Sequence, residues 1–195
     1  ANGGFTIVFK ALPDESIDKK TQPTFYYEVN ADITDINGET RSGNTTVAIA
    51  WQMLQLEITV PEKLPVDSLK SILVKSTNLN DIEETTNANI TIQQLKTPAK
   101  IFRTRYWDQP DQFVMSRDEY YGFFPYDVYK NENDVKNYET GEQVFDKTDS
   151  TNHAVKLSAA SLQPGWYKII ATAKDKYGEV VKAEKYIQLY SNAKN

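Results

Sequence analysis

Apolar and polar residues alternate with a period of two along most of the chain. Between residues 54 and 60, for example, every second residue is aliphatic and the residues between them are polar. This spacing places one face of an extended strand against a core and the other in water. Similar strand-forming stretches lie at residues 4–11, 45–51, 68–78, 89–95, 143–146, 153–157, 165–174 and 180–190. Long helical patterns are absent, so the pattern predicts an all-β fold.

One strand and the turn that follows it occur twice, 140 positions apart. Residues 27–39 and 167–179 align without a gap, and each copy runs from Tyr through alternating apolar positions to Asp-x-x-Gly-Glu. This last motif suits a tight reversal between two strands, in which Asp35 and Asp175 accept hydrogen bonds within their own turns. Two copies predict two domains of one β-fold in tandem.

The two copies lie at very different distances from the start of the sequence. The first follows about two dozen residues and the second more than a hundred. We therefore expect the chain to begin inside a domain and to be a piece of a longer protein. Residues 1–51 would be the last strands of an incomplete sandwich, which need an opposite sheet that they do not supply. Residues 52–195 would form a complete sandwich of seven short strands, the count typical of immunoglobulin-like domains.

Residues 97–142 interrupt the strand spacing and are predicted to be an insertion. Ser116 and Glu119 form a capping-box pattern before an aromatic run, which predicts a short helix over residues 117–124 that ends at Pro125. Ten of the chain's twenty-three aromatic residues lie between residues 102 and 129. Each buried ring contributes about 1.5–3 kcal/mol, so these rings can hold the insertion onto the sandwich as a folded flap.

The aromatic insertion is also the candidate interaction surface. Tyr and Trp combine a large apolar area with a polar group, which suits a face that docks against a neighbouring domain, a partner protein or a sugar ring. The residues we select for such a surface are Tyr106, Trp107, Tyr120 and Tyr121. The alternative is that these rings form a satellite core that holds the flap onto the domain.

Composition excludes several classes of function. The formal net charge of −5 and the pI near 5.0 argue against a partner such as duplex nucleic acid or a membrane surface, which requires a basic footprint. No apolar run reaches the roughly eighteen residues of a membrane span. The absence of cysteine excludes disulfides, thiolate metal sites and cysteine nucleophiles.

Candidate catalytic and metal-binding residues are few. His153 is the only histidine, and neither a Gly-x-Ser-x-Gly elbow nor a glycine-rich phosphate loop occurs, so we expect no enzyme activity and no cofactor. Four carboxylates could converge on Ca²⁺ or could be solvated loop charges: Glu132, Asp134, Asp146 and Asp149. No calcium-loop motif accompanies them, so we predict no metal.

Several segments resemble one protein family. Residues 27–43, with Ala-Asp-Ile-Thr-Asp-Ile-Asn-Gly-Glu-Thr-Arg-Ser-Gly at their centre, resemble the closing strands of macroglobulin domains in the bacterial branch of the α2-macroglobulin family. Residues 164–169 and 175–179 are similar to the same strands in the next domain of such proteins. Residues 106–113 and 124–127 look like an insertion found in very large members. The resemblance implies tandem macroglobulin-type sandwiches, the first incomplete and the second with the aromatic insertion and its short helix.

Members of that family trap endopeptidases. A protease cuts an exposed bait segment, the stacked sandwiches rearrange around it, and many members add a thioester between Cys and Gln of Cys-Gly-Glu-Gln. Residues 140–143 read Thr-Gly-Glu-Gln, but Thr140 cannot supply the sulfur, so we interpret them as a polar loop before a strand. The resemblance therefore implies a non-catalytic scaffold fragment, periplasmic or attached to the cell envelope. Its partners would be neighbouring domains of a longer chain, and endopeptidases through the full-length protein.

Two other hypotheses remain open. The chain could be a carbohydrate-binding or adhesive β-sandwich module of a secreted protein, or an immunoglobulin-fold spacer without a ligand. Three outcomes are also open for residues 1–51, namely packing on the second domain, recruitment of strands from another chain, or an open edge prone to association.

Overall fold

The computed structural model describes residues 4, 6–12, 14–18, 23–103, 105–106, 108, 111–157 and 162–192. Within these ranges most of the regular structure is strand, as an all-β fold requires. The strands are β1 Thr24–Thr34, β2 Thr40–Ala50, β3 Leu54–Thr59, β4 Lys63–Pro65, β5 Ser71–Asn78, β6 Asn87–Lys96, β7 Glu139–Ser150, β8 Ala154–Lys156, β9 Gly165–Lys174 and β10 Val180–Tyr190. One α-helix, α1, spans Arg117–Phe123.

Strands β3 to β10 form a β-sandwich. One sheet has the order β3-β5-β8 and the other β4-β10-β9-β6-β7, and every pair is antiparallel except β4 with β10. Aliphatic side chains from the two sheets share a single core, in which Val74 of the first sheet and Ile90 and Ile169 of the second are fully buried. The sandwich has eight strands rather than the seven predicted. The additional one is β4, whose three residues are too few to show a period of two.

The entry into β9 is fixed by the hydroxyl of Tyr167. It donates to the carbonyl oxygen of Gln163 at 2.9 Å and accepts from the backbone N–H of the same residue at 3.0 Å. The ring is 1% exposed and belongs to the core. A tyrosine that bonds to the backbone a few residues before its own strand is the tyrosine corner of immunoglobulin-like sandwiches.

The two copies of the repeated segment are hairpins of identical geometry. In β1–β2 Tyr27 lies opposite Val47, and in β9–β10 Tyr167 lies opposite Ile187, so the register is unchanged by the shift of 140 positions. Both turns contain a glycine with positive φ, +83° at position 38 and +86° at position 178. The side chain of the aspartate that opens each turn accepts N–H groups two and four residues later, at 2.8 and 2.9 Å in both copies. The predicted hairpins and the predicted role of the two aspartates are confirmed.

The hairpins differ in what surrounds them. Strands β1 and β2 pair only with each other within the described ranges, and Val29 is half-buried. Its equivalent Ile169 is fully buried between the two sheets of the sandwich. The division into domains at residues 51 and 52 remains a prediction.

The strand predicted at residues 4–11 is wrong. Phe5 lies outside the described residues, and residues 4 and 6–11 have no regular structure. The Phe9 ring instead lies 6.1 Å from that of Tyr27, whose hydroxyl donates to the carbonyl oxygen of Leu12 at 2.6 Å. A strand is held by backbone hydrogen bonds to a neighbour, and none of the described strands pairs with this segment.

The insertion is shorter than predicted, because β7 begins at Glu139 and the insertion therefore covers residues 97–138. Residues 140–143 lie in β7, so their interpretation as a polar loop is wrong. A Cβ on Gly141 would lie 3.1 Å from the carbonyl oxygen of Gln94, beside an irregularity in the β6–β7 register. The glycine therefore permits a close approach of two strands rather than a turn.

Candidate interaction site in the aromatic insertion

Helix α1 organises the insertion, and its start is fixed by the predicted capping box. The Ser116 hydroxyl accepts the Glu119 backbone N–H at 3.3 Å, and the Glu119 carboxylate accepts the Ser116 backbone N–H at 2.9 Å. The Ser116 hydroxyl also donates to the Glu119 carboxylate at 2.8 Å. The Ser116 backbone N–H and hydroxyl, both donating to the charged carboxylate, lower the pKa of Glu119. The helix spans Arg117–Phe123, in agreement with the prediction of residues 117–124.

Aromatic rings pack around Tyr120 on one side of the helix. Its ring centroid lies 5.2 Å from that of Phe124 and 5.3 Å from that of Tyr129, and Phe113 lies 4.6 Å from Tyr129. The Tyr129 hydroxyl donates to the carbonyl oxygen of Met115 at 2.7 Å. The rings thus form an aromatic cluster within the insertion, in which Phe113 and Phe124 stay 37% and 43% exposed.

Two arginines join the part of the insertion that precedes helix α1 to the part that follows it. The Arg105 guanidinium donates to the carbonyl oxygen of buried Val128 and, at 3.4 Å, to that of Tyr129. The Arg103 backbone N–H donates to the carbonyl oxygen of Tyr126 at 2.8 Å, and its guanidinium pairs with Asp127 at 3.0 Å. These bonds close the insertion into a loop that carries its own interior.

A cleft of about 850 Å³ opens between helix α1 and the two ends of the insertion. The charged residues in its wall are the basic Lys96, Lys100, Arg117 and Lys130 and the acidic Asp118, Glu132 and Glu139. At the strand end the cleft reaches Tyr138, whose ring lies edge-on to Trp166 of β9 at 6.4 Å. The cleft therefore lies where the insertion joins the sandwich.

Tyr121 lies in the wall of the cleft between cationic groups. The Lys100 Nζ lies 3.9 Å from its ring centroid and the Arg117 Cζ lies 5.7 Å from it, within the range of cation–π attraction. The Tyr121 hydroxyl is buried without a hydrogen bond among the described residues. Burial, together with the nearby Glu132 carboxylate, raises its pKa.

The Glu132 carboxylate, in the wall of the cleft near Tyr121, favours its ionised form. Burial disfavours the ionised form, but the Lys130 backbone N–H at 2.7 Å and the Arg117 guanidinium at 3.7 Å outweigh it, and the pKa of Glu132 is lowered. The cleft therefore presents an ionised carboxylate, several cations and an aromatic ring.

The four residues selected from the sequence do not form one surface. Tyr106 is 91% exposed. Tyr120 is half-buried in the aromatic cluster, and Tyr121 is half-buried in the wall of the cleft. Trp107 lies outside the described residues. Sequence reasoning missed the contribution of Lys100, because no fixed spacing relates it to the helix that it contacts.

The carboxylates considered for Ca²⁺ do not converge. Among the described residues no three His, Cys, Asp or Glu side chains gather in a group that could hold a metal ion. Asp134 accepts the Lys136 backbone N–H at 3.0 Å, Asp146 accepts the Asn89 side-chain amide at 2.8 Å, and Asp149 lies 2.6 Å from the Lys147 ammonium.

Comparisons of the chain with protein-family models, with curated proteins and with solved structures find no match. Within the described ranges, no helix has the length and apolar character needed to cross a membrane.

Proposed function

We propose that this chain is a non-catalytic scaffold segment of a larger protein built from tandem β-sandwiches, of the α2-macroglobulin-like endopeptidase inhibitor kind. The observation that carries the proposal is the pair of hairpins β1–β2 and β9–β10, which share sequence pattern, register and turn hydrogen bonds. A strand pair that repeats in this way within one chain supports a repeated domain.

The architecture of the sandwich formed by β3 to β10 supports the fold that we propose. Sheets ordered β3-β5-β8 and β4-β10-β9-β6-β7, with a tyrosine corner at Tyr167, match the arrangement of immunoglobulin-like sandwiches. The insertion joins β6 to β7 and leaves the core strands continuous. The link to macroglobulin domains in particular rests on the resemblance of residues 27–43 and 164–179. With it come a location in the periplasm or at the cell envelope and endopeptidases as partners of the full-length protein.

A protease assay tests the scaffold role. The isolated chain is incubated with endopeptidases of several specificities, and cleavage of a large protein substrate and of a short peptide is followed. A scaffold segment leaves both activities unchanged. The full-length protein that carries it should protect the large substrate but not the peptide, because a trapped protease is shielded only from bulky substrates. Strong inhibition by the isolated chain would overturn the scaffold role.

A carbohydrate-binding or adhesive module is the alternative, and the 91% exposure of Tyr106 favours it. An exposed aromatic ring can stack on a sugar face. A glycan array with the wild-type chain and Tyr106→Ala decides between the two functions. Tyr26→Ala is the matched control, since Tyr26 is 73% exposed but lies on β1. Binding that Tyr106→Ala removes and Tyr26→Ala retains would establish the alternative.

A further inference from the structure

The β1–β2 hairpin has one apolar face, which we call the hairpin face. It consists of the alternate residues of each strand that project to the same side, namely Phe25, Tyr27, Val29, Ala31, Val47 and Ile49. All six side chains are half-buried. A two-stranded sheet with one apolar face is marginal in water unless another element covers that face.

The repeat identifies the equivalents of these residues in the sandwich. Tyr27, Val29 and Ala31 correspond to Tyr167, Ile169 and Ala171, and Val47 and Ile49 correspond to Ile187 and Leu189. Each of these five equivalents is at most 2% exposed. The same apolar face is therefore covered completely in β9–β10 and only partly in β1–β2.

The cover of the second copy consists of two parts. The sheet β3-β5-β8 lies over the face of β9–β10 and presents aliphatic side chains such as Ile58, Ile72 and Val155 to it. Strand β6 pairs with the outer edge of β9 through eight residue pairs from Ala88↔Ala173 to Leu95↔Trp166. In the sandwich, this hairpin thus has an aliphatic sheet on its face, β6 along its β9 edge and β4 beside the end of β10.

Among the described residues, the first copy is contacted on this face by the irregular segment of residues 6–12 and by Trp51, whose ring centroid lies 5.4 Å from that of Phe25. Phe9 contacts the Tyr27 ring, and Leu12 accepts the Tyr27 hydroxyl. The equivalent hydroxyl of Tyr167 is held instead by Gln163, four residues before it. Phe9 is itself 49% exposed, so the segment covers the hairpin face incompletely.

We infer that the hairpin face is a docking surface for a β-sandwich that lacks its last hairpin. This partner presents a three-stranded sheet of aliphatic side chains to the face and an open strand edge to β1, as β3-β5-β8 and β6 do for β9–β10. The inference rests on the tandem arrangement of the proposed function but not on protease inhibition. A negative protease assay on the full-length protein therefore leaves it standing.

A second copy of the chain fits the hairpin face less well. Two hairpins of eleven-residue strands, laid face to face, would bury roughly 700 Å² in total at ordinary strand spacings, below the ~1,200 Å² of stable interfaces. The incomplete sandwich adds backbone hydrogen bonds along β1, which has no proline between residues 24 and 34 to block them.

The repeat departs from equivalence at both ends of the hairpin, and this limits the partner. Away from the turn, Phe25 of the hairpin face corresponds to Gly165, whose φ is +156° in the sandwich. Arg41 corresponds to Val181 and Ile33 to Ala173, each of which is 4% exposed in the sandwich. A partner of the inferred kind must leave Arg41 in water or offer it a carboxylate, and must have a smaller residue opposite Ile33.

A fusion supplies such a partner within one polypeptide. Residues 52–163, which are the sandwich without its last hairpin, are followed directly by residues 24–195, so that β1–β2 takes the place of β9–β10 in unchanged register. We expect amide hydrogen exchange in β1 and β2 to be at least about 100-fold slower in the fusion than in the chain itself. A second version with Ile33→Ala and Arg41→Val removes the two mismatches at the turn end of the hairpin.

The control has equal length and differs only in its first hairpin. It consists of residues 52–190 followed by residues 51–195, so its added sandwich is closed by its own β9–β10. If the added segment folds in this control but the hairpin amides gain no protection in either test fusion, the inference is overturned.

Substitutions on the two sides of β1 provide a second measurement. Val29→Asp places a charge on the hairpin face, and Asn30→Asp places the same charge on the exposed side. We expect Val29→Asp to abolish the protection in the fusion and to change the melting temperature of the unfused chain little, whereas Asn30→Asp is neutral in both. A large loss of stability for Val29→Asp in the unfused chain would show that the face is already covered. A stable dimer in sedimentation that Val29→Asp dissociates would assign the face to a second copy instead. Either result overturns the inference.

Discussion

Asp175 holds the turn between β9 and β10 with both oxygens of its carboxylate. Oδ1 accepts the backbone N–H groups of Tyr177 and Glu179, and Oδ2 accepts that of Met53 at 3.3 Å, just before β3. The residue is 8% exposed, whereas its counterpart Asp35 is exposed. One aspartate thus joins the last hairpin of the sandwich to its first strand.

Replacement of this carboxylate should make stability less dependent on pH. Burial opposes ionisation, but the N–H donors outweigh it and lower the pKa of Asp175. A folded pKa below the unfolded value near 4 stabilises the protein fully above about pH 4, and the contribution is lost as the pH falls further. We expect Asp175→Asn to lower the melting temperature at pH 7 and to reduce its fall below pH 4. An unchanged pH profile would contradict this.

The tyrosine corner gives a second prediction at the residue scale. Tyr167→Phe removes both hydrogen bonds to the Gln163 backbone, which should cost about 0.5–1.5 kcal/mol in the free energy of unfolding measured with urea. Tyr27→Phe is the matched control, because it removes only the exposed hydrogen bond to Leu12. Equal losses in the two variants would show that the corner has no special role.

At the scale of elements, the insertion should unfold separately from the sandwich. The ring contacts of Tyr120 are with Tyr121, Phe124 and Tyr129, all of them within the insertion. Tyr120→Ala should therefore release the amides of α1 to rapid hydrogen exchange while those of β6 and β9 stay protected. If protection falls equally in all three elements, the insertion and the sandwich form one cooperative unit.

The elements that the sequence predicted well are those whose local pattern and tertiary environment agree. The bounds of β9 and β10 match because their alternate residues are aliphatic or aromatic and face one core, and α1 matches because Ser116 and Glu119 form its cap. In the edge strand β7, by contrast, most residues are polar and few are buried, so only its centre was predicted.

The errors come from contacts that local sequence does not encode. Strand β4 exists because Lys63–Pro65 runs beside the end of β10, and nothing in three residues reveals that partner. Residues 6–11 alternate like a strand but have no neighbour to pair with. In the candidate site, the aromatic residues were evident, but the approach of Lys100 to Tyr121 depends on how the loop returns to the helix.

At the scale of the whole molecule, matched substitutions in the two hairpins should differ in cost. Ile169→Ala removes a fully buried side chain from the centre of the sandwich and should cost about 2–5 kcal/mol in the free energy of unfolding. Val29→Ala, at the equivalent half-buried place, should cost less than about 1 kcal/mol. Urea denaturation of both variants measures the difference, and equal costs would mean that the two faces are covered alike.

The parallel pairing of β4 with β10 has a mechanical consequence. Tension applied to the chain on either side of the sandwich pulls these strands in opposite directions along their length, so their hydrogen bonds are loaded in shear and must break together. The bond from the Gln188 N–H to the Glu62 carbonyl, at 2.7 Å, is one of them. We expect single-molecule stretching to give a lower rupture force for Gln188→Pro than for Lys182→Pro, since residue 182 lies beyond the part of β10 that pairs with β4. Equal forces would place the mechanical resistance elsewhere.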